Sequence, residues 1–410
     1  MPNILGPEDS TLLRPRQVGA LATRESPKHP SKGKKVKTIK AAAICAVVGV
    51  ALAGVAIASP ASADPSSNSY VLVGSDTLQD VSNALINGTS ISGASVRVVK
   101  NDTNTLGSFN AFGSPTIQTK SGGINFGRPT GSGDGVKALS RSIDGASYTA
   151  GTQPGGTAAA AAVITGAVDI ARSSSGPVVN TSGVLAYVPF ARDAVSYAYN
   201  GTSSALGNIT TAQLQQIYTC AAGANVINGV TVQPLLPQGL SGTRKFFLGK
   251  IGVADNAALT TCVTNNGANP TYASFDENDG TVLAANQIIP FSVASYIAQS
   301  NNAAQNRVGS AQLGTPNGIA PFTGTGTALV ANKSYYDDAV FGRDTYLVVE
   351  YARIDSTNAK FEQDLADLMD PTKAKSLTNF GTFQTTSGSV KAKFGFLAPS
   401  STTILRANAS

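Results

Sequence analysis

The sequence predicts an α/β fold divided into two lobes, and three observations carry that expectation. Short apolar runs alternate with helical patterns along residues 68–410, the pattern of strands and helices in alternation. Four of those strands end in a turn of Ser, Thr and Gly, with a helical pattern following. Beyond its first 63 residues the chain runs for about 347 more, which is long for a single hydrophobic core.

Residues 1–63 read as a disordered extension followed by a signal peptide. Lys32, Lys34, Lys35, Lys37 and Lys40 form a basic run, residues 41–58 are apolar, and Pro60-Ala61-Ser62-Ala63 closes the stretch. A positive region, an apolar region and a small-residue site are what signal peptidase reads, so cleavage is expected after Ala63 and the protein is expected to be secreted. An uncleaved anchor is the other reading, because the apolar run is about long enough to span a bilayer. Its Ala and Gly content and the Ala-Ser-Ala end favour cleavage. The residues before Lys32 are polar and lack apolar periodicity, so they read as disordered, or as lying upstream of a start at Val36.

The leader also carries the charge excess. Nine of the 30 Lys and Arg and three of the 24 Asp and Glu fall in residues 1–63, leaving 21 of each. The remainder is formally neutral, so there is no argument for nucleic-acid binding. Cys45 lies too early for a lipid anchor, and Cys220 and Cys262 remain as an even pair, expected to form a disulfide in an oxidising compartment. The one histidine is His29, which removes Ser-His-Asp and Cys-His mechanisms and His-based zinc sites from the later chain. No enzyme activity, metal or cofactor is expected.

Residues 70–73 read as a buried strand stopping at Gly74-Ser75-Asp76-Thr77, with a helix over 80–86 and a second strand over 95–100. A Gly-rich turn over 127–135 precedes the helical Val136-Lys137-Ala138-Leu139. Residues 158–165 read as a helix, and the strand 167–171 runs into Arg172-Ser173-Ser174-Ser175-Gly176. Then come a strand over 194–199, a helix over 211–218, and a strand over 232–236 leading to Gly239-Leu240-Ser241-Gly242-Thr243-Arg244. A strand over 345–351 and an amphipathic helix over 361–369 follow; residues 151–157 and 324–327 read as flexible connections. The first lobe is expected from 68–192 with 311–410, and the second from 193–310.

Helix N-termini present unpaired N–H groups and partial positive charge. Ser and Thr hydroxyls add donors and Gly permits close approach, so converging turns of this kind make an anion site. One such turn is equally a plain N-cap. Four together, with Arg172 and Arg244 in two of them, point to a site.

On these segments the chain resembles the phosphate-binding proteins of ABC transporters, which have the type 2 periplasmic-binding-protein fold; the variant it resembles is secreted and actinobacterial in type. Gly74-Ser75-Asp76-Thr77 is similar to that family's first ligand turn, with Leu78 where an aromatic often sits. Gly131-Ser132-Gly133-Asp134-Gly135 resembles the second and implies Ser132 as a ligand; Arg172-Ser173-Ser174 lies in the third; Ser241-Gly242-Thr243 matches the Ser-Gly-Thr loop. Residues 210–218, and Ile289-Pro290-Phe291-Ser292 with Tyr296, resemble its helix and apolar strand in the second lobe. The resemblance implies capture of a small oxyanion, phosphate foremost, by a monomer that hands it to an ABC permease and does no chemistry on it.

Two departures bear on the ligand. Ser174 stands where the family usually has an aspartate, so Asp76 or Asp134 is expected to accept the proton of hydrogen phosphate. Pro237 stands at the family's arginine position, so Arg244 or Arg172 is expected to supply the cation. Arg128 and Asp193 are weaker cleft candidates; Glu277, Asn278 and Asp279 read as a turn, since calcium needs more ligands. Tyr335, Tyr336 and Tyr346 read as packing residues. Two other readings share the sequence: a freely secreted or cell-surface binder uncoupled from transport, and a secreted hydrolase using carboxylates.

Overall fold

Strand β1 (Val71–Gly74) is buried on both faces, as a continuous apolar run inside a sheet covered on two sides should be. It pairs in parallel with β2 (Gly107–Ser108) and β3 (Ile170–Ser173). The spine of the sheet is β4 (Leu185–Asn200), followed by β5 (Gln233–Pro234), β6 (Gln287–Ser292), β7 (Ala311–Leu313), β8 (Gly342–Glu350) and β9 (Leu405–Ala407). They form a nine-stranded mixed sheet in the order β5-β6-β4-β8-β3-β1-β2, with β7 and β9 also paired to β4. The class is α/β. This computed structural model describes residues 64–65, 67–98, 106–152, 157–255, 259, 262–263 and 276–410; the leader read at 1–63 and residues 99–100 lie outside the described residues, and the described part of the strand expected at 95–100 makes only a single bridge, Val96 to Thr89.

Side-chain alternation explains how the first half of the sheet is covered. Leu72, Ile170, Val188, Leu347 and Val349 face one core with α1 (Gln79–Asn87) and the later helices α6 (Gln363–Met369) and α7 (Ser387–Lys393). Val71, Val73, Ala171, Tyr187, Tyr346 and Val348 face the other, against α2 (Ser132–Asp144). Successive residues point to opposite faces, so each strand feeds two cores. Burying each large aliphatic side chain contributes about 1.5–3 kcal/mol.

A third core belongs to the second half. Val195, Tyr197 and Tyr199 of β4 pack with Leu214 and Ile217 of α3 (Thr211–Tyr218), Phe247 of α4 (Gly242–Lys250), and Ile289 and Phe291 of β6. Helix α5 (Val293–Ser300) follows β6 directly. Thr210 caps α3 in a full capping box with Gln213, which is why a helix of modest length starts at that residue.

β4 joins the two halves. It pairs with β8 from Leu185 to Ala194, shifted by a bulge at Phe190, and with β6 from Val195 onward. β8 leaves an edge open beyond Ala194, and β7 fills it at Ala198–Asn200, satisfying backbone groups that would otherwise lack partners. The chain pairs again with the Leu185–Ala194 stretch of β4 from Gly342 onward. Residues Ala311, Leu313, Leu329, Tyr335, Tyr336 and Phe341 all pack in the third core. The helix read at 158–165 is absent: Ala162–Val163 pairs as a short strand with Ser147–Tyr148. An eight-residue Ala-rich segment without caps is a marginal helix, and strand pairing wins.

Cys220 and Cys262, 42 positions apart in the sequence, are bonded, with Cα atoms 5.4 Å apart. Closing a loop of that length stabilises by about 3–4 kcal/mol on the chain-entropy model. The double variant Cys220→Ser/Cys262→Ser is therefore expected to lose a stability of that order in urea denaturation, while the sheet core persists by circular dichroism.

Candidate functional site

The site forms where the turns at strand and helix ends meet. β1 ends at Gly74, with φ of +104°, and a Cβ there would lie 2.7 Å from the Arg172 carbonyl and 3.1 Å from Cα of Gly135. Only glycine takes that backbone at little cost, and its bareness lets the first turn touch the start of α2. Ser132, the first residue of α2, reaches across to Ser174: the hydroxyls are 3.0 Å apart, and the Ser174 N–H donates to Ser132 Oγ at 2.9 Å. Gly242 closes on both, since a Cβ there would come within 2.4 Å of each hydroxyl. A Ser-Gly-Thr loop thus needs its central glycine for contact between the halves. The structure brings all four predicted turns together.

Ser241 caps α4 by accepting from the Arg244 N–H at 3.0 Å. Its hydroxyl hydrogen points elsewhere, onto a carboxylate oxygen of Glu277. Thr77 donates to Glu277 Oε1 at 3.0 Å and Thr243 to the same atom at 3.2 Å. Arg343, at the start of β8, donates to Thr243 Oγ1 at 2.9 Å and Thr77 Oγ1 at 3.4 Å. The result is a buried cradle: three hydroxyls on one carboxylate, with a guanidinium bonded to two of those hydroxyls.

Arg343 is itself held by Asp193, its cross-strand partner on β4. The ion pair is 2.8 Å long, with the side chains 2% and 0% exposed. Asp193 also accepts from the Ser292 hydroxyl and the Ala294 N–H at the start of α5. Buried charges persist where they are paired and hydrogen-bonded in this way. One guanidinium nitrogen of Arg343, Nη1, is buried without a partner among the described residues, as are Ser75 Oγ and Asp76 Oδ2.

Asp76 lies beside Glu277. Burial, then repulsion from the Glu277 carboxylate, pushes its carboxyl well above the ordinary value of 3.8, although its other oxygen accepts the Thr77 N–H at 2.9 Å. Asp134 does not face the cradle: its Oδ2 accepts from the Thr130 and Gly151 N–H groups. Of the two carboxylates expected as proton acceptors, only Asp76 is in position.

Both expected cations are engaged elsewhere. Arg172 is fully buried, and its guanidinium donates to the carbonyls of Gly74, Ser75 and Phe109 and to Ser108 Oγ. It closes off carbonyls that strand ends leave without partners, and burial pulls its pKa down to about 10. Arg244 forms a two-pronged pair with Asp255 at 2.9 and 2.6 Å and bonds the Pro237 carbonyl. Leu78 is buried among the core residues of α1, and the Ser173 hydroxyl turns back onto the Ser175 carbonyl at 2.8 Å. Ser173 and Ser132 instead line a recess of about 290 Å³ beside the cradle, together with Lys245. Arg128 pairs with Asp64 away from the site.

Arg343 and Glu277 were not anticipated. Arg343 precedes the segment read as a strand, and Glu277 sat in a segment read as a turn. Their contacts to Thr77 span 266 and 200 residues, and nothing local marks them.

Two tests follow from these contacts. Arg343→Met leaves Asp193 buried and unpaired, so a loss of about 3–5 kcal/mol in urea denaturation is expected, with part of it regained in Asp193→Asn/Arg343→Met. For Asp76 the folded pKa is raised, so the native state binds more protons than the unfolded chain above pH 3.8, and stability falls as pH rises through that window. Asp76→Asn, which keeps an oxygen for the Thr77 N–H, is expected to raise the melting temperature at pH 7 and leave it nearly unchanged at pH 3.5.

No protein-family model matches the chain, and no curated protein matches it. Among solved structures, it is similar to a phosphate ABC transporter substrate-binding protein with bound phosphate from Clostridium perfringens, at 12% identity and a TM-score of 0.46, over 81% of this chain and 99% of that one. It is similar to an ABC-type phosphate transport receptor from Vibrio cholerae at 14% identity and a TM-score of 0.43, over 81% of this chain and 100% of that one. The match to PstS from Borrelia burgdorferi has 13% identity and a TM-score of 0.38, over 81% of this chain and 99% of that one.

Proposed function

We propose that the protein is a solute-binding protein that captures a small oxyanion, phosphate foremost, in the cradle of Thr77, Ser241, Thr243 and Arg343. The observation that carries the reading is the Glu277 carboxylate. An oxyanion group already rests on three hydroxyls drawn from both halves of the sheet, with a buried guanidinium against two of them. Charge-assisted bonds of this kind are the strong ones, and donors ordered in advance bind without paying for their own ordering. Ser132 and Ser174, packed on Gly242, flank the same place and supply further hydroxyls.

Asp76 is the acceptor for the proton of hydrogen phosphate in this reading. In its ionised form its unpartnered Oδ2 meets a fully ionised sulfate with repulsion and a protonated anion with a hydrogen bond. The two halves act as lobes joined by β4 and β8, and contacts available only when both reach the anion favour the closed state. In this reading the protein, secreted and monomeric, delivers its ligand to an ABC permease without altering it. A binder uncoupled from transport would use the same cradle.

Calorimetric titration with phosphate, arsenate and sulfate tests the ligand. Heat is expected with the first two and none with sulfate, and Asp76→Asn is expected to admit sulfate. Thr243→Val should weaken phosphate binding at least about tenfold, the loss of one bond to a charged partner; unchanged affinity in that variant would move the site elsewhere.

A further inference from the structure

We infer that Glu277 is a tethered competitor, a carboxylate that holds the cradle in the ligand-free protein and that an incoming oxyanion must displace. This rests on reading the cradle as an oxyanion site, and it adds a determinant of which anions are captured and how tightly.

Each donor that holds Glu277 is one that a free anion would need. Thr77 and Thr243 bond one carboxylate oxygen and Ser241 the other. The side chain is 2% exposed, so it is seated in the site and does not merely pass its rim. A carboxylate nevertheless underuses what surrounds it. Nη1 of Arg343 and Oγ of Ser75 are buried and unpartnered among the described residues. A group with more acceptor oxygens, arranged in three dimensions, suits that donor set better than a planar carboxylate does.

Charge makes the two occupants exclusive. Arg343 is already paired with Asp193, and Asp76 lies beside Glu277. Arg172 is near Asp76, but its donors are spent on Ser108 and backbone carbonyls. With Glu277 in place, its carboxylate holds the three hydroxyls and the Arg343 guanidinium is already matched by Asp193, so a dianion can enter only by exchange. Glu277 also stays close after leaving. Gln299 donates to the Asn278 carbonyl at 2.9 Å, and the Gly280 N–H donates to the Arg307 carbonyl at 2.8 Å. A group tethered this closely has an effective concentration on the order of millimolar or higher. The apparent affinity for an external anion is reduced by the fraction of protein whose cradle is free. The tether therefore sets a threshold: weakly held monoanions fail to displace Glu277, and an anion of higher charge with more acceptors succeeds.

The test is titration of the full-length wild type, Glu277→Ala and Glu277→Gln with inorganic phosphate and with acetate, with circular dichroism confirming the fold of each. Phosphate affinity is expected to rise about tenfold or more in Glu277→Ala, to rise less in Glu277→Gln, which keeps an acceptor but loses the charge, and acetate is expected to bind only the Ala variant. If Glu277→Ala does not fold, Glu277→Gln carries the same comparison at equal size. Equal phosphate affinity in all folded forms would overturn the competitor role and leave the cradle reading intact. Weaker binding in the variants would overturn it too, by making Glu277 part of the anion's own ligand set. Silence toward phosphate from every folded form would instead remove the oxyanion reading on which the inference rests.

Discussion

The ion pair between Asp193 and Arg343 is the constraint on which the rest of this structure depends. The two residues are cross-strand partners at the point where β4 leaves one core for the other. Taking both charges out of water is expensive, and the cost is offset by their mutual pairing and the further bonds each makes. Those bonds reach into three other elements. Asp193 takes the hydroxyl of Ser292 and the Ala294 N–H, which fixes the start of α5. Arg343 reaches Thr77 beyond β1 and Thr243 on α4, which fixes the two sides of the cradle. One pair thus sets the crossing of the halves and the position of the site.

Around that pair, small residues allow approach and hydroxyls supply direction. Gly74 and Gly242 stand where a Cβ would meet backbone or hydroxyl at under 3 Å, and each marks a contact between turns. The arginines divide the work. Arg172 spends its donors on carbonyls at the ends of β1 and β2, Arg244 on Asp255 and Pro237, and Arg343 alone of the three turns to the cradle. A charged residue inside a ligand-like turn is therefore not thereby a ligand. What decides is whether nearby carbonyls need its donors more.

Much of the frame was legible in the sequence because it is local. The apolar run of β1, the helix over 211–218, the Ser-Gly-Thr loop and the even cysteine pair are each written within a few residues. Where local reading failed, a distant partner had intervened. Residues 158–165 have helical composition, yet Ala162–Val163 is claimed by Ser147–Tyr148. Likewise, β7 takes the β4 edge at Ala198–Asn200, a pairing between segments far apart in the chain.

The sequence by itself determined the α/β class, the four hydroxyl-bearing turns and the neutral character of the chain after residue 63, since composition, periodicity and turn chemistry are properties of short segments. Only the tertiary structure decided which cation and which carboxylates meet those turns. Arg343 and Glu277 reach Thr77 across 266 and 200 residues, and desolvation and pairing of charge depend on what is near in space, which no spacing in the chain encodes.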